Sequence, residues 1–90
     1  MRRILKYTIP CNHSLTPVVI KMPHESVFLK MSEQKGNISI WYEGDEDEEL
    51  EPNSFICLHT GDILPSNRIE YIGTALFYND SYVLHVYKLI

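Results

Sequence analysis

Ninety residues, 44% of them apolar, are enough for one small domain and too apolar for a disordered chain. The net charge of −4 and the scatter of the eight basic residues exclude a basic surface for DNA or RNA polymers. No stretch approaches the roughly 20 apolar residues of a membrane span. We therefore expect a single domain, residues 1–90, that works in the cytoplasm without membrane contact.

The acidic residues are concentrated in residues 44–52, which hold six of the twelve in the chain. Like charges repel, so this segment is predicted to be a solvated hairpin loop. It lacks the alternating aspartates and the turn glycine of a calcium loop. The rest of the chain has eight basic and six acidic residues, so its net charge of +2 does not exclude an anionic ligand.

Periodicity and turn residues predict strands nearly throughout. Turns are expected at residues 35–37 and 79–81, and at most one helical turn is expected at residues 62–67. This pattern is typical of an all-β, mostly antiparallel sandwich or barrel. The seven predicted strands are residues 3–9, 18–22, 27–31, 38–42, 53–60, 69–78 and 82–89.

The two cysteines, Cys11 and Cys57, have neither the CxxC spacing nor the number expected of a disulfide-stapled secreted domain. Two reduced thiols in a cytoplasmic protein are favoured over a single disulfide.

The strand at residues 38–42 contains the only tryptophan. Alternation places Ile38, Ile40 and Tyr42 on one face and Trp41 with Ser39 on the other. If the isoleucine face is core, Trp41 is either an exposed platform for stacking or oligomer contact, or the cap of a second apolar layer.

Catalysis is not indicated. No nucleophile elbow, P-loop, zinc-protease motif or Cys/His signature occurs, and the histidines lack the spacing of metal ligands. The carboxylates outside the acidic segment form no pair suited to acid–base chemistry. We expect no enzyme, no cofactor and no metal.

A series of short motifs resembles a family of small phage and prophage proteins of unknown function. The resemblance extends from Arg3 to Tyr87, although the family usually has glycine where this chain has His59, and its acidic loop is shorter. The motifs are Lys6-Tyr7, Ile20-x-Met22-Pro23, Trp41, Thr60-Gly61, Tyr71-Ile72-Gly73-Thr74 and His85-Val86-Tyr87.

Members of that family resemble phage anti-CBASS sponges, which sequester the cyclic dinucleotide or trinucleotide signals of bacterial CBASS defence, cyclic GMP-AMP for instance, without cleaving them. The resemblance implies a homo-oligomer, with a tetramer favoured, that holds its ligand between subunits.

Matched motif positions suggest Trp41 and Tyr71 for base stacking, Lys6 for phosphate, Thr60 for polar contacts and Tyr7 to close the pocket. Chemistry alone adds two residues to this predicted site, Arg68 for phosphate and His59 for polar contacts.

Two other functions remain open. The protein could be an interaction module or inhibitor that docks on a host protein through its acidic loop, since that loop could pair with a basic patch. It could also be a minor structural subunit of a phage particle.

Overall fold

The computed structural model describes residues 1–10, 16–78 and 81–90 of the chain. The predicted all-β fold is confirmed, and these residues form a sandwich of two antiparallel sheets without any helix. The helical turn considered at residues 62–67 is absent, and the predicted turn positions Asn79 and Asp80 lie outside the described residues. The strands are β1 (Arg2–Ile9), β2 (Val18–Pro23), β3 (Val27–Gln34), β4 (Asn37–Asp45), β5 (Leu50–Leu58), β6 (Ile69–Phe77) and β7 (Tyr82–Leu89).

One sheet has three strands in the order β1-β4-β3, and the other has four in the order β2-β5-β7-β6. The sandwich is closed on one side, where β3 and β6 contact each other. At that contact, a Cβ on Gly73 would lie only 3.0 Å from the Met31 Cε. A side chain at residue 73 would therefore require the Met31 side chain to shift.

The core is built from the alternate residues of both sheets. Ile38, Ile40 and Tyr42 of β4 point inward, as the alternation predicted. Burial raises the pKa of the Tyr42 hydroxyl to about 12, with a smaller contribution from the charge of Glu70. The opposite sheet contributes Met22, Phe55, Cys57, Ile72, Ala75, Phe77, Leu84 and Val86.

Cys57 is thus a core residue, whereas Cys11 lies outside the described residues.

A two-residue turn joins β3 to β4. Lys35 and Gly36 have φ angles of 53° and 81°, and Gln34 pairs with Asn37 to close the hairpin. Hairpin turns of this length favour two successive residues with positive φ because their twist matches that of the strands. The turn predicted at residues 35–37 is therefore present, and its two left-handed residues are Lys35 and Gly36.

The acidic segment differs from the hairpin loop that the sequence predicted. Gly44 and Asp45 belong to β4 and Leu50 already belongs to β5, so only residues 46–49 form the turn. Because β4 and β5 lie in different sheets, the segment crosses from one sheet to the other. The composition of the segment showed that it is solvated but carried no information about strand partners.

Candidate functional site

Trp41 lies on the outer face of the three-stranded sheet, between two lysines. Its cross-strand neighbours are Lys6 on β1 and Lys30 on β3. The Lys6 Nζ lies 5.6 Å from the centroid of the indole ring, which is cation–π geometry. We call Lys6, Trp41 and Lys30 the Trp41 row; it places an aromatic surface between two positive charges.

A polar groove of about 280 Å³ adjoins this row. Within it, the Lys6 ammonium donates a hydrogen bond to the Gln34 side-chain oxygen. Its lining includes two lysines and no carboxylate, which suits an anionic ligand. It is lined by Lys6, Thr8, Gln34, Lys35, Asn37 and Ser39.

The Lys30 side chain makes no hydrogen bond or ion pair with any residue in the described part of the chain. Its ammonium is exposed to solvent. Lys6 donates only to the neutral Gln34 amide, so no carboxylate of the described residues neutralises either lysine of the row, and the Lys30 side chain has no polar partner at all.

A second polar cluster lies on the outer face of the four-stranded sheet. The imidazole of His85 bonds the Thr60 hydroxyl through Nε2 at 2.8 Å and the Thr74 hydroxyl through Nδ1 at 3.0 Å. The hydroxyls of Thr74 and Tyr71 are also hydrogen-bonded, and the Tyr71 ring meets Tyr87 edge to face at 5.5 Å between centroids. We call these five residues the His85 cluster.

His59 lies beside this cluster, at the mouth of a groove of about 220 Å³. Its Nε2 is 3.1 Å from the Tyr82 hydroxyl, and its backbone N–H donates to the Asp62 carboxylate at 2.7 Å. Asp62 also lines the groove, so this groove presents a negative charge to any phosphate.

The predicted site residues therefore fall on two opposite faces. Lys6 and Trp41 lie on the three-stranded sheet, whereas His59, Thr60 and Tyr71 lie on the four-stranded sheet. The chain brings each set together locally but does not bring the two sets together within one subunit.

Tyr7 and Arg68 lie apart from both sets. Tyr7 alternates with Lys6 and packs on the core side, where its ring meets Tyr42 edge to face. Burial, followed by the charge of Glu46, raises the pKa of the Tyr7 hydroxyl. Arg68 precedes β6 with an exposed side chain that forms no ion pair within the described residues.

The sequence reasoning did not select Lys30, Gln34, Thr74 or His85 for a site. Lys30 pairs with Trp41 because of a β-bulge in β3. Phe28 pairs with Tyr42, and Lys30, two residues further along β3, pairs with Trp41, which is only one residue away from Tyr42 on β4. That shift in register arises only when the two strands pair, so the sequence around Lys30 does not indicate it. Thr74 and His85, in contrast, belong to two of the sequence motifs described above, Tyr71-Ile72-Gly73-Thr74 and His85-Val86-Tyr87.

The acidic segment is largely paired with the N-terminus of the chain. The terminal ammonium donates to Asp45 at 3.0 Å, and Arg3 lies 3.3 Å from Glu46. A backbone N–H from Asp47 and the terminal ammonium together lower the pKa of Asp45. At the far end, His24 Nδ1 donates to Glu51 at 3.0 Å.

Among residues 1–10, 16–78 and 81–90, no group of three or more histidine, cysteine or acidic side chains could hold a metal ion. The same residues include no helix with the length and apolarity needed to cross a membrane.

The chain is thus a small antiparallel sandwich with an aromatic and cationic row on one outer face and a hydrogen-bonded polar cluster on the other. It belongs to the family described as a domain of unknown function, DUF7352, whose model matches residues 1–90. No curated protein matches the chain, and no solved structure does.

Proposed function

We propose that this protein binds and sequesters a cyclic oligonucleotide signal without cleaving it, as a phage immune-evasion protein acting against CBASS defence. The Trp41 row carries the proposal. An indole with the Lys6 ammonium over its ring and Lys30 as its cross-strand neighbour offers a stacking surface for a base together with donors for its phosphates. The resemblance of the sequence motifs to the sponge-like phage family supplies the identity of the ligand.

The energetics suit this assignment. A sponge that competes with a cellular receptor needs a Kd on the order of nM, or about −12 kcal/mol. Stacking contributes about 1–3 kcal/mol per base, and a charge-assisted hydrogen bond contributes about 1.5–3 kcal/mol. One row in one subunit falls short of this affinity, and contacts from a second subunit would supply the difference.

Lys6 and Lys30 differ in what a phosphate must displace. Lys6 already donates to Gln34 and lies over the indole, so a phosphate replaces an existing contact. Lys30 has no partner in the described chain, so its contact with a phosphate is a net addition. We therefore assign Lys30, absent from the residues selected by sequence, to phosphate binding.

Docking on a host protein through the acidic segment is less well supported by the geometry. Asp45, Glu46 and Glu51 are engaged by the terminal ammonium, Arg3 and His24, respectively. A basic partner would have to compete with these contacts. Glu48 and Glu49 remain as exposed charges for such a partner.

The test compares two aromatic side chains on opposite faces, the half-buried Trp41 and the exposed Tyr71. Trp41→Ala and Tyr71→Ala would each be titrated calorimetrically with cyclic dinucleotides and trinucleotides, with linear nucleotides as a control. Loss of one stacked base should weaken binding by at least tenfold in Trp41→Ala. Tyr71→Ala should bind as the unaltered chain does.

The bound ligand is then recovered by heating and analysed by mass spectrometry, and sequestration requires that it return intact. Failure of every cyclic nucleotide to bind the unaltered chain would reject the proposal. A loss of binding in Tyr71→Ala alone would transfer the site to the four-stranded sheet.

A further inference from the structure

The four edge strands of the sandwich are not equally protected against pairing with another strand. Strand β3 has a bulge between Phe28 and Lys30, and β6 has one between Tyr71 and Gly73. Strand β2 is only six residues long and ends at Pro23. Bulges, short length and proline all discourage the addition of a further strand.

Strand β1 has none of these features. All of its residues, Arg2–Ile9, pair with β4 in one uninterrupted register. Its opposite edge therefore presents a regular row of backbone donors and acceptors, which is the template that another strand recognises. Ile4 on this strand is 70% exposed.

The space beside β1 is also incompletely filled. The three-stranded sheet has one strand fewer than its partner, and β1 and β2 line a groove of about 470 Å³ between them. Its apolar wall consists of Leu5, Tyr7, Pro23 and Leu50. A strand added to β1 would cover this wall and extend the shorter sheet.

The positive charges of β1 do not prevent such an addition. Arg2 lies 3.6 Å from Glu43 and Arg3 lies 3.3 Å from Glu46, so carboxylates of the same chain already neutralise both guanidinium groups. Lys6 is the remaining cation of the strand.

We propose that β1 of a second copy of this chain adds to this edge, antiparallel and about a two-fold axis. The product is a continuous sheet in the order β3-β4-β1-β1-β4-β3. Residues that face each other across the axis must point to the same side of the sheet, which limits the possible registers. Of the two registers with the greatest overlap, one places Lys6 against Lys6 of the partner subunit and is disfavoured by charge repulsion.

The other register places Leu5 on the axis. Ile4 then faces Lys6 of the partner subunit, and Arg2 faces Thr8 of the partner subunit. No like charges oppose each other, and the two Leu5 side chains meet on the groove side. We assign the interface to this register.

The interface also bears on ligand binding, a consequence that rests on the proposed function. Both Trp41 rows would lie on one continuous outer face, related by the two-fold axis, with their Lys6 residues on adjacent strands. A cyclic dinucleotide, with two bases and two phosphates, has the matching arrangement of groups.

The first test measures molecular mass by analytical ultracentrifugation over a range of concentrations. Ile4→Lys places a new cation beside Lys6 of the partner subunit at two symmetric positions and should weaken β1 pairing about tenfold. Ile4→Glu places opposite charges there and should retain pairing. Leu76→Lys is the matched control, since Leu76 is 48% exposed on an edge strand of the other sheet.

Hydrogen exchange followed by mass spectrometry locates the interface without a substitution. Exchange of residues 2–9 should slow as the protein concentration rises, while exchange of residues 69–77 should not change. Circular dichroism confirms that each variant folds.

Three results would overturn the inference: a monomer at every concentration, an oligomer whose β1 exchange is independent of concentration, or an oligomer disrupted by Leu76→Lys but not by Ile4→Lys. A β1 dimer that binds no cyclic nucleotide would reject the proposed function and leave the interface standing.

Discussion

On the outer face of the three-stranded sheet, Lys30 has no partner in the described chain and Trp41 lies between two cations. On the outer face of the four-stranded sheet, the His85 imidazole is hydrogen-bonded to the Thr60 hydroxyl on one side and to the Thr74 hydroxyl on the other. Both faces are rich in aromatic and polar side chains. They differ in whether the polar groups are already satisfied within the protein.

This difference indicates what each face does. A neutral imidazole has one donor and one acceptor nitrogen, and the two threonine hydroxyls use both nitrogens of His85. A ligand at the His85 cluster would have to break those bonds before making its own. A ligand at the Trp41 row can bind Lys30 without breaking a bond of its side chain, although at Lys6 it must replace the contact with Gln34. The His85 cluster is therefore better suited to support the sheet, and the Trp41 row to bind.

The largest effect on binding is expected from reversing the charges of the Trp41 row. Lys6→Glu combined with Lys30→Glu removes two phosphate donors and adds repulsion, so affinity for a cyclic dinucleotide should fall at least 100-fold. Arg68→Glu is the control, because Arg68 is an exposed cation that lies outside the row. Calorimetric titration at low and at physiological salt provides the measurement. Arg68→Glu reverses one charge and the row variant reverses two, so a loss of binding free energy half as large in the Arg68 variant would show that only the net charge of the protein matters.

A smaller effect, on stability rather than binding, is expected at the His85 cluster. His85→Ala removes both hydrogen bonds to threonine and should lower the free energy of unfolding by about 1–2 kcal/mol. Lys30→Ala removes no side-chain hydrogen bond or ion pair within the described chain and should change it by less than about 0.5 kcal/mol. Urea denaturation measures both values. If His85→Ala instead weakened ligand binding while leaving stability unchanged, the roles of the two faces would be reversed.

The strand content of this fold could be predicted because alternation is a local property. Ile38, Ile40 and Tyr42 repeat every second residue, which places Trp41 on the outer face without further information. The positions of Gly36 and Pro10 likewise marked where strands turn or end. Local signals of this kind predicted all seven strands.

Strand partners could not be predicted in the same way. That β4 and β5 lie in different sheets depends on contacts between distant strands, so the acidic segment was misread as a hairpin. For the same reason, Lys6 and Tyr71 were placed in one predicted site although they lie on opposite faces. The approach of Lys30 to Trp41 depends on a bulge, which appears only when β3 and β4 pair.

The smallest expected effect is that of pH, and it distinguishes the two faces through their side-chain chemistry. Histidine is the side chain that ordinarily changes charge between pH 5 and 8, and the Trp41 row contains none. Affinity for the nucleotide should therefore be constant from pH 6 to 8. A change in affinity over this range would count against the Trp41 row as the binding site.

Stability should respond slightly over the same range for a different reason. The hydrogen bond to Glu51 raises the pKa of His24 above its ordinary 6.5. Its stabilising contribution is therefore complete below pH 6.5 and is lost as the pH rises through the raised value. Melting temperatures measured across this range should fall slightly for the unaltered chain. They should fall less for Glu51→Gln, which removes the largest cause of the raised pKa while Glu25 and Glu48 remain. Because the pair is exposed, the effect should be the smallest of those described. If ligand affinity followed the same pH curve as stability, binding would depend on the fold at the acidic turn rather than on the Trp41 row.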